Sequence, residues 1–306
     1  MRRRDFLLSA AAFSNDTEGR WLLDQQAADG GWHSRRYGLL RSGQSLTGFV
    51  MASLGSHDPR GLAFLAAHTN EDGAVGMANP LLPDYPNYAT ALAVRLTGVP
   101  KSVEYLLSRQ FTEADGWRES DAAYGAWGMG GDRRRAPNAG HVDISMTRHV
   151  LSALVLAPDH PAMQRARIFL SRLQNDDGGF RFSTVVPDAN KAGEASYGTG
   201  TADGIISLIA AGGDCARVKA AKDWLMKHHR PDAAPGLTGK WPQGMRYYYA
   251  AASAQAFRLL GVPRDHDQDR LLRAERRGDG SWANPEPLVK EDDPLIAIGF
   301  ALSALR

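Results

Sequence analysis

Two aspartates border or enter apolar helical stretches. Asp143 lies in "GHVDISMTRH", between His141 and the pair Arg148-His149, where an apolar helical pattern begins. Asp203 lies inside "TADGIISLIAAG", a stretch with no other charge. A buried carboxylate is costly unless it is paired. Asp203 therefore either pairs with Arg148 or a backbone group, or faces a cavity as an acid kept protonated by burial. Asp143 offers two roles as well: a buried acid or ligand anchor beside His141, or the cap that satisfies the first amides of a helix. Asp143 and Asp203 are the candidate catalytic residues. Around them, Tyr88, Tyr197 and Tyr249, with Tyr37 and Tyr247, fall near the starts of apolar helices. Their π faces could stabilise a cation, or they could simply fill a core. Trp127 lies in the Gly-rich "AYGAWGMGG", which could form a lid. Beside it, Arg133-Arg134-Arg135 could meet an anionic headgroup or remain a solvated charge run. The candidate substrate-binding residues are Tyr88, Trp127, His141, Tyr197 and Tyr249. Cys215 is the only cysteine, which excludes an intrachain disulfide and a cysteine-based zinc cluster. No metal or other cofactor is expected.

The elements that must position these residues come from a repeat. Asp-Gly pairs recur at Asp29, Asp72, Asp115, Asp177 and Asp279, the first three spaced 43 residues apart. An aromatic follows at Trp32, Trp117, Phe180 and Trp282, and "GLTGKWPQG" is a degenerate sixth copy ending at Trp241. Each turn follows an amphipathic helical pattern such as "QRARIFLSRLQ". Each precedes a second helix rich in Ala, Gly and Ser and apolar nearly all round, such as "DPLIAIGFALSALR". Pro100, Pro158 (which lies outside the residues described below) and Pro263 follow such helices and stop them. Each two-helix unit alone would leave an apolar face bare, so neighbours must stack. Six units can close into a ring with small-residue helices inside and amphipathic ones outside. The expected fold is all-α, an α6/α6 toroid of six helical hairpins closed into a barrel, formed by residues 15–306 as one domain. In the recurring phrase, Gln satisfies orphan carbonyls or the next unit's backbone, Asp-Gly makes the turn, and the aromatic wedges between units.

Composition is consistent with this. The 306 residues are 43% hydrophobic and 23% charged, with a net charge of +2. The basic residues are scattered and lack an aromatic platform, so nucleic acid is not an expected partner. Residues 1–14 read as a twin-arginine signal around Arg3-Arg4 or as a basic tail. The first would place the protein outside the cytoplasm and the second inside it.

"QQAADGGW" and "LQNDDGGF" resemble the QW-type repeats of squalene–hopene cyclases, and "SYGTGTADGIISLIAAG" resembles protein prenyltransferase β-subunits. The resemblance covers the chain from Trp21 onward. It implies a barrel with a central apolar cavity that holds an isoprenoid or triterpene lipid. Cyclases of this kind protonate an alkene with the middle aspartate of a D-x-D-D-T-type motif, which this chain lacks. "DHDQD" at Asp265–Asp269 has the wrong spacing, and "EDDP" at Glu291–Pro294 lacks the first aspartate. The Asp, Cys and His zinc ligands of the prenyltransferases do not assemble around Asp214-Cys215, and an aspartate-rich magnesium motif is absent too. The expected partner is an apolar small molecule, recognised and open to transformation as in a cyclase or prenyltransferase. The alternative is a non-catalytic lipid-binding or protein-interaction toroid that has lost those motifs. Peripheral contact with a membrane stays open.

Overall fold

A computed structural model of the chain describes residues 17–77, 84–155, 157 and 159–306. The twin-arginine stretch lies outside the described residues. Thirteen α-helices are described: α1 (Thr17–Asp24), α2 (Gln44–Leu54), α3 (Pro59–Ala67), α4 (Pro86–Thr97), α5 (Pro100–Ser108), α6 (Ile144–Leu154), α7 (Pro161–Leu173), α8 (Gly198–Ala210), α9 (Cys215–His228), the single turn α10 (Trp241–Gly244), α11 (Arg246–Leu260), α12 (His266–Ala274) and α13 (Pro294–Leu305). No β-strand occurs among the described residues. Proline occupies the first turn of α3, α4, α5, α7 and α13, where its missing N–H costs nothing. Pro100 therefore opens α5, as well as closing the connection from α4.

Six helices form a closed inner ring. α2 packs on α4, α4 on α6, α6 on α8, α8 on α11, α11 on α13, and α13 returns to α2. Outside it lie α1, α3, α5, α7, α9 and α12, each against one or two inner helices. The partition follows composition. Every residue of α2 is buried, whereas α9 buries only Ala221, Trp224 and Leu225. Small residues let the inner helices approach. A Cβ on Gly299 would come within 2.3 Å of the Phe49 ring.

The recurring phrase works as a staple with three parts. The Gln amide bonds its own turn and the next outer helix together. Gln26 Nε2 donates to Gly30 O (2.9 Å) and to Asp58, the N-cap of α3 (2.7 Å). Gln174 Nε2 donates to Gly178 O (3.0 Å) and to Arg217 O in α9 (2.9 Å). The Trp indole reaches back to the preceding outer helix: Trp32 to Leu22 O and Trp282 to Leu272 O, both at 2.7 Å. A threonine one turn into the inner helix accepts the backbone amide that follows the turn. Trp32 N meets Thr47 Oγ1 at 3.0 Å, Val75 N meets Thr90 at 2.8 Å, and Phe180 N meets Thr201 at 3.0 Å.

The third staple is not at Asp115-Gly116-Trp117. Gln110 Nε2 donates to Gly125 O (2.9 Å) and to Ala162 O in α7 (2.8 Å), Trp127 Nε1 donates to Leu106 O (2.7 Å), and Trp127 N faces Thr147 Oγ1 (3.4 Å). Gly125 has φ 83, and a Cβ there would lie 2.0 Å from Arg165 O. Residues 111–124 are thus an insertion carrying its own Asp-Gly turn. Arg133 braces that turn at Asp115 (2.7 Å), and Trp117 Nε1 donates to Arg134 O (3.0 Å). Trp241 opens α10, so the degenerate copy makes no indole staple of this kind.

Candidate functional site

The inner helices run parallel, and the first two turns of five of them, α2, α4, α6, α11 and α13, line a cavity of about 270 Å³. Phe49, Tyr88, Tyr248 and Phe300 form much of its wall from α2, α4, α11 and α13, and Phe182 closes over it from the loop before α8. The phenylalanines of α2 and α13 meet edge to face, with ring centres 5.0 Å apart. Polar groups are few: Ser45, Asp143, Ser145, His149, Lys191 and Lys290.

Asp143 lies at the mouth. It caps α6, with Oδ1 accepting from Met146 N (2.7 Å), while His141 Nε2 stands 2.9 Å from Oδ2. Asp143 is thus the helix cap, and it also lines the cavity with His141 against its second oxygen. Lys191 faces the same region with Nζ 3.6 Å above the Phe182 ring. Burial pulls its ammonium down from the ordinary lysine value, against the opposing pull of Asp143 and Asp203.

Asp203 stands one layer deeper. The Tyr248 hydroxyl, itself on the cavity wall, donates to Asp203 Oδ2, and Arg148 Nη1 lies 3.4 Å from Oδ1. Burial pushes the Asp203 carboxyl up to about 6, while Arg148 and the Tyr248 hydrogen bond oppose the shift. Arg148 also donates to Gln255 on α11. It thus links α6 to α8 and α11. His149, next to it, lines the cavity with its ring centre 4.5 Å from that of Tyr88. Burial, then Arg148 and Arg95, hold its imidazole well below the ordinary histidine value, so it is neutral.

Three sequence-derived candidates lie elsewhere. Trp127 is fully buried in the third staple and forms no lid. Tyr197 is buried as the residue that starts α8, its backbone amide bonded to Phe180 O (3.3 Å). Tyr249 points outward, its hydroxyl 2.6 Å from His229 Nδ1, and His229 Nε2 is 2.7 Å from Asp265. Successive residues of a helix are rotated by about 100°, so of Tyr247, Tyr248 and Tyr249 only one can face the lumen. The remaining acids are consumed by the scaffold. Asp265 caps α12 and Asp293 caps α13. Asp292 accepts from Arg36 (2.9 Å) and from Tyr37. Glu291 accepts from the Tyr247 and Tyr248 amides at the start of α11 and from Asn284, and burial pushes it up to about 7. Among the described residues, no group of three His, Cys, Asp or Glu side chains could hold a metal ion, and no helix is long and apolar enough to cross a membrane.

The geometry has counterparts among solved structures. A protein from Actinoplanes is 19% identical, with a TM-score of 0.56 over 95% of this chain and 97% of that one. The type II terpene cyclase MstE from Scytonema, in complex with geranylgeranyl dihydroxybenzoate as substrate, is 15% identical, with a TM-score of 0.56 over 95% and 94%. Protein geranylgeranyltransferase-I from Candida albicans, complexed with GGPP, is 15% identical, with a TM-score of 0.55 over 86% and 83%. The chain has the fold of the terpene cyclase and protein prenyltransferase toroids. No family model and no curated protein matches it by sequence. Within this toroid fold, sequence reasoning missed Tyr248, Phe49, Phe300 and Lys191, and noted His149 only as a neighbour of Asp143. The signal for Tyr248 and His149 was the helical stripe: Met245 at the N-cap of α11 with Tyr248 and Gln255 on it, and Ser145, His149 and Ser152 on α6, recur at three-, four- and seven-residue spacing.

Proposed function

We propose that the chain binds an isoprenoid in the central cavity, admitted at the N-terminal mouth of the inner ring. The observation that carries this reading is the cavity wall: aromatic and aliphatic side chains from five inner helices, interrupted by a few placed polar groups. Its size is near the lower end of the roughly 300–1,000 Å³ typical of ligand pockets. The ligands named for MstE and for the Candida enzyme, both geranylgeranyl compounds, support the same class.

Catalysis is a second reading, favoured by the link from Asp203 through Tyr248 to the cavity. A carboxyl that titrates at about 6 still holds a proton in part of the molecules near neutral pH. The Tyr248 hydroxyl would rotate to give its proton to an alkene carbon as Asp203 passes its own proton to the phenol oxygen. That leaves an Asp203 carboxylate beside Arg148 and a carbocation facing the rings of Tyr88 and Phe300. Asp143, held by His141, is the other candidate acid.

The test is native mass spectrometry with product analysis on wild type, Asp143→Asn and Asp203→Asn, each supplied with squalene and with prenyl diphosphates. A converted product lost in one variant identifies the acid. A bound, unchanged lipid in all three supports binding without chemistry. Absence of any adduct contradicts the isoprenoid reading.

A further inference from the structure

The cavity is not uniformly apolar, and three of its uncharged polar side chains stand unpaired on one side. His149 is 9% exposed and lines the cavity, and no hydrogen bond reaches either ring nitrogen among the described residues. Its one close partner is the Tyr88 ring, met edge-on. Tyr88, from α4, also lines the cavity, and no hydrogen bond reaches its hydroxyl among the described residues. Ser45, from α2, is 4% exposed and lines the cavity, and its Oγ likewise has no partner among the described residues. These three side chains come from three consecutive inner helices, α2, α4 and α6. Beside α2, α13 continues the wall with hydrocarbon, Ile296 and Phe300.

An unpaired polar group costs about 1–3 kcal/mol once it is fully buried, as Ser45 Oγ is, and a ligand filling the cavity would enclose His149 and Tyr88 as well, so the three call for a common partner. Their chemistry selects that partner. A neutral imidazole presents one donor and one acceptor, and each hydroxyl presents both. Four cations stand near: Arg148 is held by Asp203 and Gln255, while Lys191 and Lys290 line the cavity from loops outside the α2–α4–α6 wall, Lys191 with Nζ over the Phe182 ring and drawn toward Asp143, Lys290 with Nζ over the Tyr37 ring. Arg95 stands behind the wall, where it and Arg148 keep His149 uncharged. The set matches an uncharged oxygen, which both accepts and donates, better than it matches an anion.

We infer that the α2–α4–α6 wall is an oxygen-recognising subsite, in which His149, Tyr88 and Ser45 bind a hydroxyl or carbonyl carried by the ligand. This rests on the isoprenoid reading above and narrows it. The ligand is an oxygenated isoprenoid whose oxygen lies within the cavity, and a bare hydrocarbon is discriminated against because it would leave the wall unpaired.

The experiment compares farnesene, farnesol and farnesoic acid, which share a carbon skeleton, by titration against the full chain and against His149→Phe and Tyr88→Phe. Tyr88→Phe deletes one hydroxyl and keeps the ring, and so guards against a folding defect in the other variant. The expected result is farnesol binding about tenfold more tightly than farnesene, with that ratio reduced to about threefold or less in each variant. Equal affinity for farnesol and farnesene in the wild type overturns the subsite while leaving the isoprenoid reading intact. So does a farnesol preference that survives in both variants. Tightest binding by farnesoic acid overturns it in favour of an anion site. If none of the three binds, the isoprenoid reading falls and the subsite with it.

Discussion

At the C-terminal end of the inner ring, helix carbonyls converge and arginines close over them. Arg306 donates to Ala52 O (2.8 Å) and Ser53 O of α2, Arg264 to Leu305 O of α13, and Arg167 to Ala211 O at the end of α8 (2.7 Å). At the N-terminal end, carboxylates accept the orphan amides instead. Asp143 caps α6, Asp293 caps α13 and Glu291 serves α11. Both arrangements answer the helix dipole with opposite charge. They differ in shape. The arginines are long enough to bridge from one element to another and seal their end. The carboxylates are short and leave a hollow, which aromatic residues line. The same electrostatic rule thus yields a structural end and a hollow one, with Arg148 linking α6, α8 and α11.

The largest effect of a single substitution is expected at that link. Arg148→Met leaves Asp203 buried without its cation and should cost about 3–5 kcal/mol of stability in urea unfolding, in the absence of ligand. A variant as stable as wild type would show that the ion pair does not brace α6 against α8.

The hollow end should show its buried carboxyls in the pH dependence of stability. Asp203 moves from 3.8 to about 6 and Glu291 from 4.5 to about 7 on folding. The folded state therefore binds more protons between those values, so stability falls as pH rises from about 4 to about 7 and levels off above. The change expected is about 3 kcal/mol for each carboxyl and about 6 kcal/mol for the two across the window, with the slope roughly halved in Glu291→Gln. Stability rising through that window would contradict the assignment.

The sealed end should respond in stability alone. Arg264→Ala removes a bond to Leu305 O and a half-exposed ion pair with Asp269, for a loss of about 1 kcal/mol. Isoprenoid affinity measured by titration should not change. A fall in affinity would mean that the two ends are coupled. A comparably small effect is expected at Tyr249→Phe, which removes the hydroxyl's contacts with His229 and the Arg230 backbone, for about 1 kcal/mol by thermal melting and no change in ligand binding. A binding defect there would return Tyr249 to the cavity.

The ring was legible because its signals are local and repeated. Amphipathic and small-residue helices alternate, and the Gln–turn–Trp phrase is written plainly at Trp32 and Trp282. The third copy misled because an Asp-Gly turn is short-range chemistry. The insertion carries one at Asp115, while the staple that binds α7 is formed by Gln110, Gly125 and Trp127. The Cβ geometry separates the two glycines: an added atom at Gly116 meets nothing nearer than 3.9 Å, against 2.0 Å at Gly125. The site was only partly legible. Asp143 and Tyr88 reach the cavity, and Asp203 stands one residue behind it. The orientation of Tyr247, Tyr248 and Tyr249 depends on helix phase relative to an axis that no single helix defines. Lys191 comes from a loop whose position is set by tertiary packing.

The most direct test of the isoprenoid cavity is native mass spectrometry of the full chain incubated with geranylgeraniol, beside a Ser145→Trp variant that fills the cavity from α6. A one-to-one adduct in the wild type that disappears in the filled variant is the expected result. No adduct in the wild type, or the same adduct in both, would contradict the cavity as the binding site.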